Sequence, residues 1–223
     1  FSTWSTDTIK NGVTAKSFTF EETVDLGGGN KSFSRFDGCM VSMLSLAIAS
    51  RAAITGSVTL MGQQEELDEE IITGATYAVP GTTPISTASA NVAALTVTGV
   101  ATPPKVRSLN IEINNNLRTR PLVGSLFTDS FGYGRCEVTG TLECYFETND
   151  LYQKVLDHGS GALSFTVGNA PNKKYTFSLP KIIFGNGERR PGGNNDDVMV
   201  SIPFRAVYEE TAAATIVLTR NVT

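Results

Sequence analysis

Residues 136–159 read CEVTGTLECYFETNDLYQKVLDHG, and two periodicities meet inside them. From Glu137 to Glu147 the odd positions are Glu, Thr, Thr, Glu, Tyr and Glu. The even positions are Val, Gly, Leu, Cys and Phe. A period of two places these sets on opposite faces of a strand, one wet and one dry. Asn149 and Asp150 then offer N-caps, Leu151, Val155 and Leu156 recur at helical spacing, and Gly159 can take the left-handed turn that stops a helix. The stretch predicts a half-buried strand over 135–147 and a short helix over 150–158.

The same strand pattern recurs on either side. Turn formers (21 Gly, 9 Pro and many Asn) separate short segments rich in Val, Ile, Thr and Phe, as in an all-β domain. Strands are predicted at 16–23, 41–49, 54–61, 92–98, 106–114, 135–147, 162–168, 174–183, 198–207 and 214–220. Pro180 and Pro203 fall inside two of them, which places those strands at edges or makes them bulged there. A short internal repeat links 44–60 with 109–144. Each copy holds an alternating strand, a connection, and Thr-Gly-Ser or Thr-Gly-Thr opening a second strand. Leu44, Leu46, Ile48, Ile54, Val58 and Leu60 in the first copy answer Leu109, Ile111, Ile113, Val138, Leu142 and Cys144 in the second. The first copy reads as a hairpin turning at Ser50–Ala52. Between the copies, residues 63–91 are polar and open with QQEELDEE; a loop of this length in a compact domain is usually functional or disordered. An acidic run alone is most often a solvated face.

With 223 residues and 40% hydrophobic content, the chain can bury a core as one large all-β domain or two small ones. No apolar run reaches the roughly 18–20 residues of a membrane helix, and residues 1–15 show no secretory signal. A net charge of −4 argues against binding nucleic acid by phosphate neutralisation. The pairs Lys173–Lys174 and Arg189–Arg190 read as solvated loop tips. Cys136 and Cys144 are separated along one predicted strand by roughly 26 Å at ~3.3 Å per residue, beyond the about 7 Å a disulfide spans. With Cys39, which follows FDG at an expected turn, they read as reduced core residues from a reducing compartment.

Catalytic chemistry is sparse. The one histidine, His158, stands at a helix end where a cation is mildly favoured. It cannot complete a zinc ligand set, and no Gly-x-Ser-x-Gly elbow supports a Ser–His–Asp site. Ser178–Lys181 matches Ser-x-x-Lys but lies in a proline-interrupted strand. Paired acids such as Glu21–Glu22 lack aromatic platforms for sugar chemistry. GGNNDD (192–197) lacks the spacing of a calcium loop and reads as a turn, and the triple glycine 27–29 has no Lys-Ser/Thr after it. No enzyme and no cofactor is expected.

Taken in order, WSTDTIKNGVTAKSFTFEE (4–22), FDGCMVSMLSLAI with TGSVTLMG (36–62), LNIEINNNL (109–117), VTGTLECYFETNDLYQKVL (138–156), YTFSLPKI (175–182) and DDVMVSIPFRAVYE with TIVLTR (197–220) resemble the major tail tube protein of long, non-contractile-tailed bacteriophages. The resemblance covers nearly the whole chain. It implies one β-sandwich domain over 1–223 with a short flanking helix and an extended loop region at 63–105. It also implies six-membered rings stacked into a hollow tube in the virion tail, assembled in the bacterial host cytoplasm. Tape measure and tail terminator proteins would be the partners, with no membrane contact, and DNA would pass through without specific binding. Relatives carry sequence ahead of the Trp-Ser segment, so an N-terminal part is expected to be missing before Phe1.

Under this resemblance, two strand pairs from each of six subunits make a barrel of about 24 strands. At ~4.8 Å spacing and ~40° tilt its backbone diameter is roughly 48 Å, narrowed about 10 Å by side chains, which admits a DNA duplex. The pairs 41–49/54–61 and 106–114/135–147 are the candidates. Asn110, Glu112, Asn114, Glu137, Thr139, Thr141 and Glu143 would line the bore. Glu65, Glu66, Asp68, Glu69 and Glu70 are expected to contact basic loops holding Arg118, Arg120, Arg189 or Arg190 in a neighbouring subunit or ring. The alternative is a monomeric β-sandwich binding module of the carbohydrate-binding or adhesin kind, against which the chain offers one Trp and no aromatic cluster.

Overall fold

The computed structural model describes residues 7–79, 85–168 and 173–220. Residues 4–6 of the first resembling segment and 80–84 of the polar stretch lie outside them. In chain order the first strands are β1 (Thr8–Lys10), β2 (Phe18–Gly27), β3 (Asn30–Ala49), β4 (Thr55–Met61) and β5 (Gln64–Asp68). A single helical turn, α1 (Ala88–Asn91), leads into β6 (Val92–Val97). Then come β7 (Val106–Asn114), β8 (Arg118–Pro121), β9 (Thr128–Gly132) and β10 (Glu137–Tyr145). After α2 (Asp150–Leu156) follow β11 (Ser160–Val167), β12 (Tyr175–Phe184), β13 (Glu188–Arg190), β14 (Met199–Ala206) and β15 (Val217–Arg220).

The fold is an all-β sandwich. One layer runs β4-β3-β7-β10-β14 and the other runs through β6, β11, β12, β15 and β1, all pairs antiparallel. The layers join where the ends of β12 and β14 pair, Ile182 opposite Ala206 and Phe184 opposite Phe204. Between them lie Leu109, Ile111, Ile113, Val138, Leu142, Ile202 and Phe204 of the first layer, against Leu163, Phe165, Leu179, Ile182 and Phe184 of the second. The β7 and β10 residues are the dry positions of the second repeat copy; in the first copy Leu44, Leu46 and Ile48 pack on this core, whereas Val58 and Leu60 on β4 are exposed. The two copies of the repeat are neighbours, because β3 pairs β7 with Ser45 opposite Glu112 and Ala47 opposite Asn110. The first copy does turn at 50–54, with Arg51 left-handed and Ala52 N–H bonded to the Ala49 carbonyl.

Both prolines sit where a backbone donor is dispensable. The β11–β12 register slips between Gly161/Leu163, opposite Leu179–Ile182, so β12 carries an extra residue around Pro180. That bulge resets the alternation, and Leu179 and Ile182 both face inward. Pro203 accepts a bond from Gly185 N–H on the side away from β10. Its missing donor therefore points into the gap between β13 and β12, and the β10 ladder is intact. Gly140 has a packing reason: a Cβ there would lie 2.4 Å from the Phe204 ring and 2.4 Å from the Asn110 carbonyl.

Helix α2 buries Leu151 and Val155 in the core as expected. Leu156, though, is 57% exposed, so the apolar stripe is narrower than its spacing suggested. The left-handed residue that ends the helix is His158 (φ 48), not Gly159. His158 N–H bonds Val155 O and Gly159 N–H bonds Lys154 O, the paired bonds of a Schellman stop. The other departure is at FDG. Gly38 takes φ 61, yet the chain does not turn there: β3 runs on through it as a bulge against β2. A side chain at 38 would collide with Gln63. Strand β3 is thus 20 residues long. Its second half belongs to the sandwich, and its first half forms a three-stranded arm with β2 and β5.

Candidate functional site

The wet face of the first layer gathers all seven candidate bore residues. Glu112 stands opposite Thr139, Asn110 opposite Thr141, Asn114 opposite Glu137, and Ser108 opposite Glu143. The rows extend to both sides: Ser57, Ser45, Glu112, Thr139 and Arg205 lie side by side across five strands. Ser45, Asn110, Glu112, Thr139, Thr141 and Arg205 are among the residues lining an open concavity of ≈ 930 Å³ on this face. Most side chains here are short, so the trough is left unfilled by its own sheet. Its only aromatic residues, Phe184 and Phe204, are buried.

Charge on the face is partly compensated. Arg205 donates to Glu137, and Ser108 donates to Glu143 at 3.0 Å. Glu112 makes no ion pair among the described residues. Three carboxylates against one guanidinium leave the face acidic. Ser45, Ser57, Ser201 and Arg205 share it and were missed in the sequence, although Ser201, Pro203 and Arg205 alternate with Ile202, Phe204 and Ala206 in plain view. On the opposite side of the layer the core is closed by α2. There Arg189 lies 5.4 Å from the Phe146 ring and 5.7 Å from that of Tyr152. Arg190 instead pairs with Glu188 at 2.9 Å.

The acidic run is part of the arm. Glu65, Glu66 and Asp68 stand on β5 opposite Phe36, Arg35 and Phe33. Arg35 is the hub: it donates to Glu21 at 2.9 Å, to Asp68 at 2.6 Å and to the Glu70 carbonyl. Tyr77 donates to the other Glu21 oxygen. The Tyr77 hydroxyl and then Arg35 hold the Glu21 carboxyl below its usual range. Arg35 and the Glu70 and Glu69 amides do the same for Asp68. Sequence reading missed Arg35 as a partner, since its strand was not expected to begin before 41. Glu65, Glu66, Glu69 and Glu70 remain exposed. Arg118 and Arg120 lie on β8 at the same end of the sandwich as these acids, where Gln63 bonds the Asp129 carbonyl of β9 at 2.7 Å.

An all-β sandwich with a concave face, a strand β4 that pairs only with β3 among the described residues, and a projecting arm is the form of an assembling structural subunit. The chain matches the family described as phage tail tube protein over residues 1–206, and it belongs to that family. A comparison with curated proteins finds no match. The protein is therefore a structural component of the phage tail tube, placed in the virion tail. None of its described helices is long and apolar enough to cross a membrane.

Proposed function

We propose that six copies of this chain close into a ring, that rings stack into a hollow tube, and that DNA is delivered through it past the wet face of β4-β3-β7-β10-β14. The observation that carries this reading is the wet face itself: Glu112, Glu137 and Glu143 share it with one arginine, and Glu112, Asn110, Thr139 and Thr141 open onto a concavity bordered by β3, β4, β7, β10 and β14. Strand β4 pairs only with β3 among the described residues, so its outer edge is free to join a neighbour's sheet and close the ring. Phosphates passing a net-negative wall find no stable resting place, whereas a basic wall would release counterions and hold the duplex. Arg205 does not undo this, because Glu137 already engages it. By the family resemblance, tape measure and tail terminator proteins are the partners, and assembly takes place in the host cytoplasm.

Size-exclusion chromatography with negative-stain microscopy tests assembly: rings or tubes are expected, and a monomer that binds sugar would contradict the reading. The bore is tested by replacing Glu112, Glu137 and Glu143 with lysine. These variants should fold and form rings but impair DNA delivery by reconstituted virions; normal delivery would refute the acidic-wall account.

A further inference from the structure

The two ends of the sandwich are chemically unlike. At the arm end, Leu67 projects from β5 with 73% of its surface exposed, among the exposed carboxylates of Glu65, Glu66, Glu69 and Glu70. Among the described residues, Asp68 is the one carboxylate of this run that pairs with Arg35. At the other end, the β3–β4 turn and the start of β7 border an apolar trough of ≈ 290 Å³, walled by Ile48, Val92, Leu95 and Val106 and flanked by Arg51 and Arg107. Neither arginine makes an ion pair among the described residues. Asp196 and Asp197 line an adjoining opening with them, and no ion pair joins these acids to either arginine among the described residues.

We propose that these are the two halves of one contact: the β5 segment of one copy docks head to tail on the arginine-flanked trough of a second copy, with Leu67 entering the trough. Acid meets guanidinium and an exposed leucine meets an apolar hollow, so charge and hydrophobicity match together. Because the halves lie at opposite ends of the subunit, the contact is head to tail, and with a rotation that does not close it repeats along one axis. This is what ring stacking requires, and the inference rests on the tube reading. It also reassigns the cations. Arg118 and Arg120 share an end with the acids, so they cannot receive them in a polar stack. Arg189 is occupied by its two rings, and Arg190 by Glu188.

Two multiple variants of the full chain test the pairing: Arg51→Glu with Arg107→Glu, and Glu65→Arg with Glu66→Arg and Glu69→Arg, which leaves Glu70 as the one acid of the run without an ion pair among the described residues. Each alone makes arm and trough alike in sign, and should yield single rings with pelletable tubes reduced at least about tenfold. Mixed in equal amounts, the basic arms meet acidic troughs, and tubes should return with the variants alternating. Tubes from either variant alone at the wild-type level, or no recovery on mixing, would overturn the docking while leaving ring formation standing. A wild type that forms neither rings nor tubes would overturn the tube reading beneath it, and the docking with it.

Discussion

Strand β3 passes through two environments, and the two halves are stabilised differently. Residues 40–49 run between β4 and β7 with Leu44, Leu46 and Ile48 on the core. Residues 30–37 run between β2 and β5, where nearly every residue of the partner strands is exposed, Phe18, Phe20, Val24 and Leu26 included. The first region encloses its own apolar surface. The second is held by backbone ladders and the Arg35 cluster, and leaves its apolar surface open. A sandwich complete in one chain carries an arm that is incomplete in one chain, which is the division of labour expected of a subunit that folds first and assembles afterwards.

The contrast breaks most sharply in the core. Phe204→Ala should lose about 3–5 kcal/mol of stability, read by denaturant unfolding of the isolated chain. Gly140→Val should be at least as damaging, because its side chain must displace both the Phe204 ring and the Asn110 carbonyl. If either variant unfolds like wild type, the core assignment of the β10–β14 contact is wrong.

In the arm, Arg35→Met leaves the Glu21 and Asp68 carboxylates without their shared cation and should loosen the arm while the unfolding transition of the sandwich stays close to that of wild type. Hydrogen exchange should accelerate in β2 and β5 while β7 and β10 stay protected. Uniform acceleration would mean that arm and sandwich unfold as one unit.

Acid should separate the two regions in the same way. Glu21 and Asp68 have lowered folded pKa values, so their stabilisation is complete above the ordinary carboxylate range and fades as pH falls through the depressed values. The arm should loosen below that range with the sandwich ladders still protected. An arm equally protected on both sides of that transition would contradict the role given to Arg35.

The smallest effect concerns the thiols. Burial pushes the Cys144 thiol up to about 12, with Glu143 adding to the rise. Alkylation of the native chain at mildly alkaline pH should spare Cys144, and rapid labelling there would place the β10 dry face outside the core.

The same contrast explains what the sequence disclosed. β7 and β10 were legible because one face is buried and the other wet, so their alternation is strict. The expected pairing of 106–114 with 135–147 followed from it, and with it the shared face of Asn110, Glu112, Asn114, Glu137, Thr139, Thr141 and Glu143; the pairing of the two repeat copies through β3 and β7 did not. β5 was not legible: QEELD holds one apolar residue, and its extended form comes from pairing with a strand some 30 residues earlier. The first half of β3 was hidden by FDG, since a left-handed glycine serves a hairpin turn and a bulge equally well. Arg205 was overlooked because its strand was read for its one proline, Pro203, rather than for its wet positions. Local pattern reports burial, and where a segment has little to bury its structure is written in its partners.

The most direct measurement is a helical reconstruction of assembled tubes at a resolution that shows side chains. The account predicts that Glu112, Glu137 and Glu143 point toward the tube axis, with α2 on the outer side of the same sheet. Tubes in which those three carboxylates face outward, or in which α2 lines the bore, would contradict it.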